Sequence, residues 1–180
     1  MKKLIFFALG LFLVGCTPTH YTREEYLAMS TRIYEHSEDE VLSAAQKVFE
    51  IPNRGRGYKF VHQPHGLKAV RYSYQFLVNV WYHWNISCTP EKNGTKVHVY
   101  IESSSGGYTD VSGDLPHQSP SVLDLFFKRL DYVLGKSDKW ISCHEYAALH
   151  PDHSQLIALC PTTVDPEKDL GENLMGPMRD

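Results

Sequence analysis

No apolar run in this sequence is long enough to cross a bilayer. The longest, Leu4 to Leu13, falls well short of the roughly 20 residues that a helix rising about 1.5 Å per residue needs to span the hydrocarbon core. Positive charge is not in surplus either: 18 lysines and arginines stand against 21 acids, a net charge of −3. Nucleic acid is therefore not expected as a partner, and electrostatics alone would not hold the chain to an anionic surface. Enzyme signatures are missing too. Ser103-Ser104-Ser105 has no Gly-x-Ser-x-Gly frame, and no His-Glu-x-x-His or pair of cysteines two residues apart occurs. Asn53-Arg54-Gly55-Arg56-Gly57 lacks the lysine and hydroxyl residue of a P-loop and follows a helix instead of preceding one.

The 10 histidines fall into no metal-ligand spacing. Cys143-His144 with His150 and His153, and the strand pair His83 and His98, are the nearest approaches. Neighbours on a helix point about 100° apart, so Cys143-His144 is not evidence for a thiol–imidazole pair. The expectation is no metal, no cofactor and no catalytic residue.

What the chain does have begins at its amino terminus. Lys2 and Lys3 precede the apolar run, which ends in Leu13-Val14-Gly15-Cys16, the layout of a charged n-region, an h-region and a small-residue cleavage site. Leu13-Val14-Gly15-Cys16 resembles the lipobox of bacterial lipoproteins, a resemblance that covers residues 1–16 alone. It implies that residues 1–15 are a signal peptide, that Cys16 carries diacylglycerol, and that the freed amino group is acylated, with palmitate as a typical chain. Two or three acyl chains anchor stably where one is marginal, at about 0.8 kcal/mol per buried methylene. Thr17 is not the aspartate associated with inner-membrane retention, which implies an outer-membrane anchor facing the periplasm.

Cleavage would remove Lys2 and Lys3 and take the net charge from −3 to −5. With Cys16 lipidated, Cys88, Cys143 and Cys160 remain, enough for one bridge and one thiol in an oxidising compartment. Cys143 with Cys160 is the favoured pair, since it would staple the carboxy-terminal segment to the domain, but spacing leaves the pairings through Cys88 open.

Residues 16–30 read as a lipidated tether, followed by an extended segment near residues 31–36. Ser37-Glu38-Asp39-Glu40 forms a capping box ahead of Val41, Ala44, Ala45, Val48 and Phe49 at helical spacing, with Pro52 as the stop. Tyr58–His62 and Leu67–Tyr74 read as strands joined around Pro64-His65-Gly66, with glycine expected to take the left-handed exit.

Asn93-Gly94 is the favoured pair for a two-residue type I′ hairpin, which would set Cys88 opposite Val99 and Ile86 opposite Ile101. Alternation then places Val78, Val80, Tyr82, Trp84, Ile86 and Cys88 on one face with Val97, Val99 and Ile101. The opposite face carries Trp81, His83, His98 and Tyr100, large amphipathic side chains suited to contact with a partner. Residues 103–118 read as a long loop. Ser119-Pro120 then starts a helix striped with Leu123, Phe126, Phe127, Leu130, Val133 and Leu134, bounded by Gly135. A further turn is expected from Ser137-Asp138 through Trp140, Cys143 and Tyr146, and residues 161–180 read as a disordered acidic tail.

The expected architecture is one α+β domain over residues 31–160, an antiparallel meander sheet packed on one long helix with a second helix. Its element order looks like that of small helix-on-sheet domains in envelope lipoproteins and of helix-grip folds. The expected role is a non-catalytic accessory or assembly component of a cell-envelope complex, held to a membrane by its lipid and meeting an envelope protein. A second reading is a binder of a small apolar ligand, in a pocket between sheet and helix lined by Tyr82, Trp84 and Phe127.

Overall fold

A computed structural model of the chain describes residues 21–53, 58–75, 78–106, 115–116, 119–150, 156 and 158–160. The expected signal peptide, Cys16, residues 54–57, His153 and the expected acidic tail all lie outside the described residues. The described part is α+β, as the sequence pattern indicates. Its elements are α1 (Arg23–Met29), β1 (Thr31–Tyr34), α2 (Glu38–Asn53), β2 (Tyr58–Gln63), β3 (Gly66–Gln75), β4 (Val78–Glu91), β5 (Gly94–Gly106), β6 (Leu115–Pro116), α3 (Pro120–Val133) and α4 (Cys143–Leu149).

The strands form one antiparallel sheet in the order β1-β5-β4-β3-β2, with β6 added beside β5. β2 to β5 are a meander. β1 closes the sheet at the far edge from β2, so α2 has to cross one face of the sheet to connect the two. α3 returns over the same face and packs beside α2, giving two helices on the inner face rather than one.

Period-2 alternation decides which side chains lie beneath those helices. Tyr82, Trp84, Ile86 and Cys88 of β4 and Val97, Val99 and Ile101 of β5 are all buried on the inner face, as expected. Their register differs from the expected one by two residues: Cys88 pairs with Val97, Ile86 with Val99 and Trp84 with Ile101. A slip of two preserves the faces, because side chains repeat every two residues.

The slip has a visible cause. A type I′ loop needs positive φ at both central residues, yet among the described residues His65 is the only non-glycine with positive φ. The tip is therefore Lys92-Asn93, with Glu91 paired to Gly94. Gly94 enters the strand at φ +141°, where a Cβ would fall on the carbonyl oxygen of Tyr34 in the neighbouring chain segment.

A similar exchange occurs at the β2–β3 turn. His65, not Gly66, takes the left-handed conformation, at φ 58°. Gly66 is needed for close approach instead, since a Cβ there would lie 2.8 Å from the carbonyl oxygen of Ile86. His65 is held in place by Glu38, whose carboxylate oxygens lie 2.9 and 3.0 Å from Nδ1, and its own carbonyl accepts from the Cys88 amide at 2.8 Å.

Four further boundaries differ from the sequence expectation. The stretch read as tether contains α1, a short helix with a reciprocal capping box between Thr22 and Glu25, and its Tyr26 and Met29 pack against the core. The expected long loop begins later than residue 103, because β5 runs on to Gly106 and pairs Ser103, Ser104 and Ser105 with Tyr82, Trp81 and Val80. Residues 137–142 do not start a helix: Ser142 caps α4 and exchanges hydrogen bonds with Glu145. The Ser37 and Ser119 caps stand where the sequence places them, with Ser37 and Glu40 bonded reciprocally and the Ser119 hydroxyl accepting from Val122. α2 runs one residue past its expected stop, with Pro52 inside its last turn.

Candidate functional site

Among the described residues, the side chains expected to line an apolar pocket are packed into the core. Trp84 is fully buried, with its ring centroid 5.1 Å from Phe49 and 5.4 Å from Phe126. Its cross-strand neighbour is Ala69, small enough to admit the indole. Tyr82 and Phe127 are buried as well, and the Arg32 guanidinium sits 4.9 Å over the Phe127 ring. Tyr82, Trp84 and Phe127 are thus wall and filling at once, which weighs against an apolar pocket among them. Two grooves of about 510 and 530 Å³ open on the surface beside α2, and both are mixed polar and apolar in lining. The first runs along Glu38, Gln46, Glu50 and the β2–β3 turn, and the second along His36, Asp39, Lys47 and the end of α3.

The carboxy-terminal segment completes the core. Cys143 and Cys160 are joined as a disulfide with their Cα atoms 5.9 Å apart, while Cys88 is a free, buried thiol whose pKa burial pushes up to about 12. Sequence reasoning reached the Cys143–Cys160 pair but not what the bridge holds. The Ala158 carbonyl accepts from Trp84 Nε1 at 3.1 Å and from the Tyr58 hydroxyl at 3.0 Å, and the Cys160 carbonyl accepts from Arg71 Nη1 at 2.6 Å. Two buried arginines frame this region. Arg71 lies on the inner face beside the Tyr58 ring, and Arg129 of α3 donates from Nε to the Ile141 carbonyl and from Nη2 to Cys143 Sγ, over the Trp140 ring. Both could have been flagged from sequence: Arg71 shares the parity of Leu67 and Ala69, and Arg129 follows Phe126 by three residues in the apolar stripe. Buried charges of this kind are kept by their hydrogen bonds.

Among the described residues, α2 and α3 pack on the inner face of the sheet, and the outward-facing Trp81, His83, His98 and Tyr100 are each half-buried. The outer face brings these four together on adjoining positions of β4 and β5, with His83 opposite Glu102 and His98 opposite Ser87. Tyr72, which the sequence reading did not single out, belongs with them. It pairs with Trp81 across β3 and β4, meets its ring at a tilt of 58° with 5.5 Å between centroids, bonds through its hydroxyl to Asn79, and is 51% exposed. Its signal was present in the alternation of β3, since Tyr72 has the outward parity of Lys68 and Val70.

His83 Nε2 lies 3.2 Å from the Ser104 hydroxyl. That pair is partly buried. His98 is partly buried, and desolvation, reinforced by Lys96, lowers its pKa, so the ring is neutral at neutral pH. Tyr100 is covered on one side by Tyr26 of α1, edge-on at 6.3 Å, and burial pushes the Tyr26 hydroxyl up to about 12. Lys59, Val61 and Lys68 form the exposed border toward β2. The surface is thus aromatic at its centre, hydrogen-bonding between the rings and charged at its rim, a composition suited to a protein contact.

The other expected chemical groups stay apart. His83 and His98 are not cross-strand partners, and His144 is exposed while Cys143 points into the core, as their adjacency on one helix requires. His150 stacks on Tyr146 at 4.1 Å. Among the described residues, no cluster of three or more His, Cys, Asp or Glu side chains is arranged to hold a metal ion. No helix among them is long and apolar enough to cross a membrane. No family model matches this chain, and neither a curated protein nor a solved structure shows significant similarity to it.

Proposed function

We propose that this protein is a lipid-anchored accessory or assembly component of a cell-envelope complex, acting without catalysis and docking a protein partner through the outer face of its sheet. Cys16 carries the lipid, Thr17 directs the anchor to the outer membrane, and the domain faces the periplasm. The observation that carries the docking surface is the ring contact between exposed Tyr72 and half-buried Trp81 on the sheet face opposite α2 and α3. Rigid aromatic rings offer large contact area at small entropic cost and are enriched where interfaces bind most strongly. Anchoring raises the effective concentration of such a surface toward membrane-bound partners.

The test is photo-crosslinking in intact cells with a photoreactive phenylalanine at Tyr72 or Trp81, compared with the same group at Lys92 on the β4–β5 tip. A discrete protein adduct from positions 72 and 81 but not from 92 is the expected result. Recovery of lipid alone from positions 72 and 81 would refute the docking role.

A further inference from the structure

We infer that the α1–β1 edge of the domain rests against the lipid surface in which Cys16 is anchored. The inference depends on lipidation of Cys16 as proposed above and adds an orientation to it.

Covalent geometry supplies the first step. Five residue steps separate Cys16 from Tyr21, and a fully extended chain covers at most about 3.6 Å per residue, so the start of the described domain lies within about 18 Å of the anchored residue. The polar headgroup layer of one leaflet takes up roughly 5–7 Å of that reach. What remains is about the diameter of a single helix, some 10–12 Å. The domain therefore has no room to tumble freely at a distance.

The second step is that the exit point is fixed to the fold. The Thr22 amide donates to Glu25 at 2.8 Å and the Glu25 amide donates to the Thr22 hydroxyl at 3.2 Å, so α1 is closed at its first turn. One turn later Tyr26 packs on Tyr100, and the Ser30 carbonyl accepts from the Val99 amide at 2.9 Å. α1 thereby crosses the edge of β5 between the stretches paired to β1 and β6. A short leash tied to a rigid corner presents that corner to the membrane.

The corner has suitable chemistry. Leu27 in α1 is 41% exposed and Ile33 in β1 is 60% exposed, two large apolar side chains within thirteen residues of Tyr21. Arg32 and Lys96, the latter opposite Ile33, flank them, with Glu24 and Glu35 nearby, so the patch is close to neutral. Apolar contact with the headgroup–acyl boundary is the chemistry it fits, independent of lipid charge. β2, at the opposite edge of the sheet, then points away from the bilayer, with Val61 about four strand spacings, roughly 19 Å, beyond β1.

The protein itself provides a clean labelling background, because Cys88 is buried and Cys143 is bridged to Cys160. Mature lipidated protein carrying Ile33→Cys or Val61→Cys is labelled with a fluorophore and reconstituted into phosphatidylcholine vesicles containing a headgroup-nitroxide lipid. Quenching at position 33 at least threefold stronger than at 61 is expected. Inserting twenty Gly/Ser residues after Thr19 should remove most of that difference. Equal quenching at both positions with an intact tether, while the intact mass shows lipid on Cys16, overturns the orientation and leaves the anchor standing. An unmodified Cys16 overturns both.

Discussion

Replacing both Cys143 and Cys160 by alanine should cost about 3 kcal/mol of global stability. The bridge joins residues 17 apart in sequence, and loop-closure entropy for a ring of that size is worth about 3 kcal/mol in the unfolded chain. Its native-state role points the same way. Three buried donors, Trp84 Nε1, the Tyr58 hydroxyl and Arg71 Nη1, bond to carbonyls of Ala158 and Cys160, and neutral hydrogen bonds contribute about 1 kcal/mol each with a charged donor contributing more. Without the bridge those bonds and the burial of Leu156 and Leu159 alone must offset the entropy of ordering the segment. Urea unfolding followed by circular dichroism measures the global change, and the m-value should rise because an uncrosslinked unfolded chain exposes more surface. Hydrogen exchange at the Leu159 and Cys160 amides, both bonded to the Leu156 carbonyl, should accelerate more than exchange in β4. A global loss below about 1 kcal/mol with unchanged exchange at those amides would refute the view that the bridge, and not docking, holds the segment.

Two glycines with positive φ should respond very differently to alanine. Gly94→Ala places a methyl on the Tyr34 carbonyl oxygen and should cost about 3 kcal/mol or more, whereas Gly135→Ala, at φ +72° with nothing within 4 Å, should cost about 1–2 kcal/mol, both read from urea midpoints. His65 should titrate above the ordinary imidazole value by NMR, because its hydrogen bond and charge interaction with Glu38 favour the protonated ring, and Glu38→Gln should return it toward that value. Since the folded pKa is raised, this pair's contribution to stability is present below the unfolded imidazole pKa and disappears as pH rises through the folded one. Cys88, with its pKa near 12 and its side chain on the inner face, should resist iodoacetamide at pH 8 until the protein unfolds, giving one alkylation under denaturing, non-reducing conditions.

The faces of β4 and β5 were legible in the sequence because alternation needs only that one side of the sheet be buried, and Trp84, Ile86, Cys88, Val97 and Val99 satisfy it in unbroken order. Register was less legible for the same reason. Any even slip gives identical faces, so Asn93-Gly94 had to decide it alone, and Gly94 turned out to be required by the approach of Tyr34, a contact distant in sequence. The β2–β3 turn misled in parallel fashion: Gly66 answers to Ile86 across the sheet, while the left-handed position falls to His65 with Glu38 beside it. α1 carries a readable T-x-x-E capping signal at Thr22 and Glu25, but it is two turns long, and tertiary contacts of Tyr26 and Met29 with the core and the Tyr100 ring make so short a helix worth forming. Of the candidate face, Trp81, His83, His98 and Tyr100 followed from parity; Tyr72 joined them only once β3 was paired to β4.

Trp81 and Trp84 divide the molecule between them. Three residues apart on one strand, they project to opposite sides, Trp84 into a filled core and Trp81 onto the outer face. Truncating Trp84 would be felt as several kcal/mol of lost packing, while truncating the half-buried Trp81 should cost less. A fold that needed only a core would have little use for Tyr72 against Trp81 on the outer face, where an exposed ring such as Tyr72 carries a risk of nonspecific association. With the α1–β1 edge against the bilayer, the sheet stands on its side, and the Tyr72–Trp81 pair faces laterally along the membrane instead of into it. A partner anchored in the same membrane would meet the pair in that orientation after diffusing in two dimensions, with no long tether required on either side.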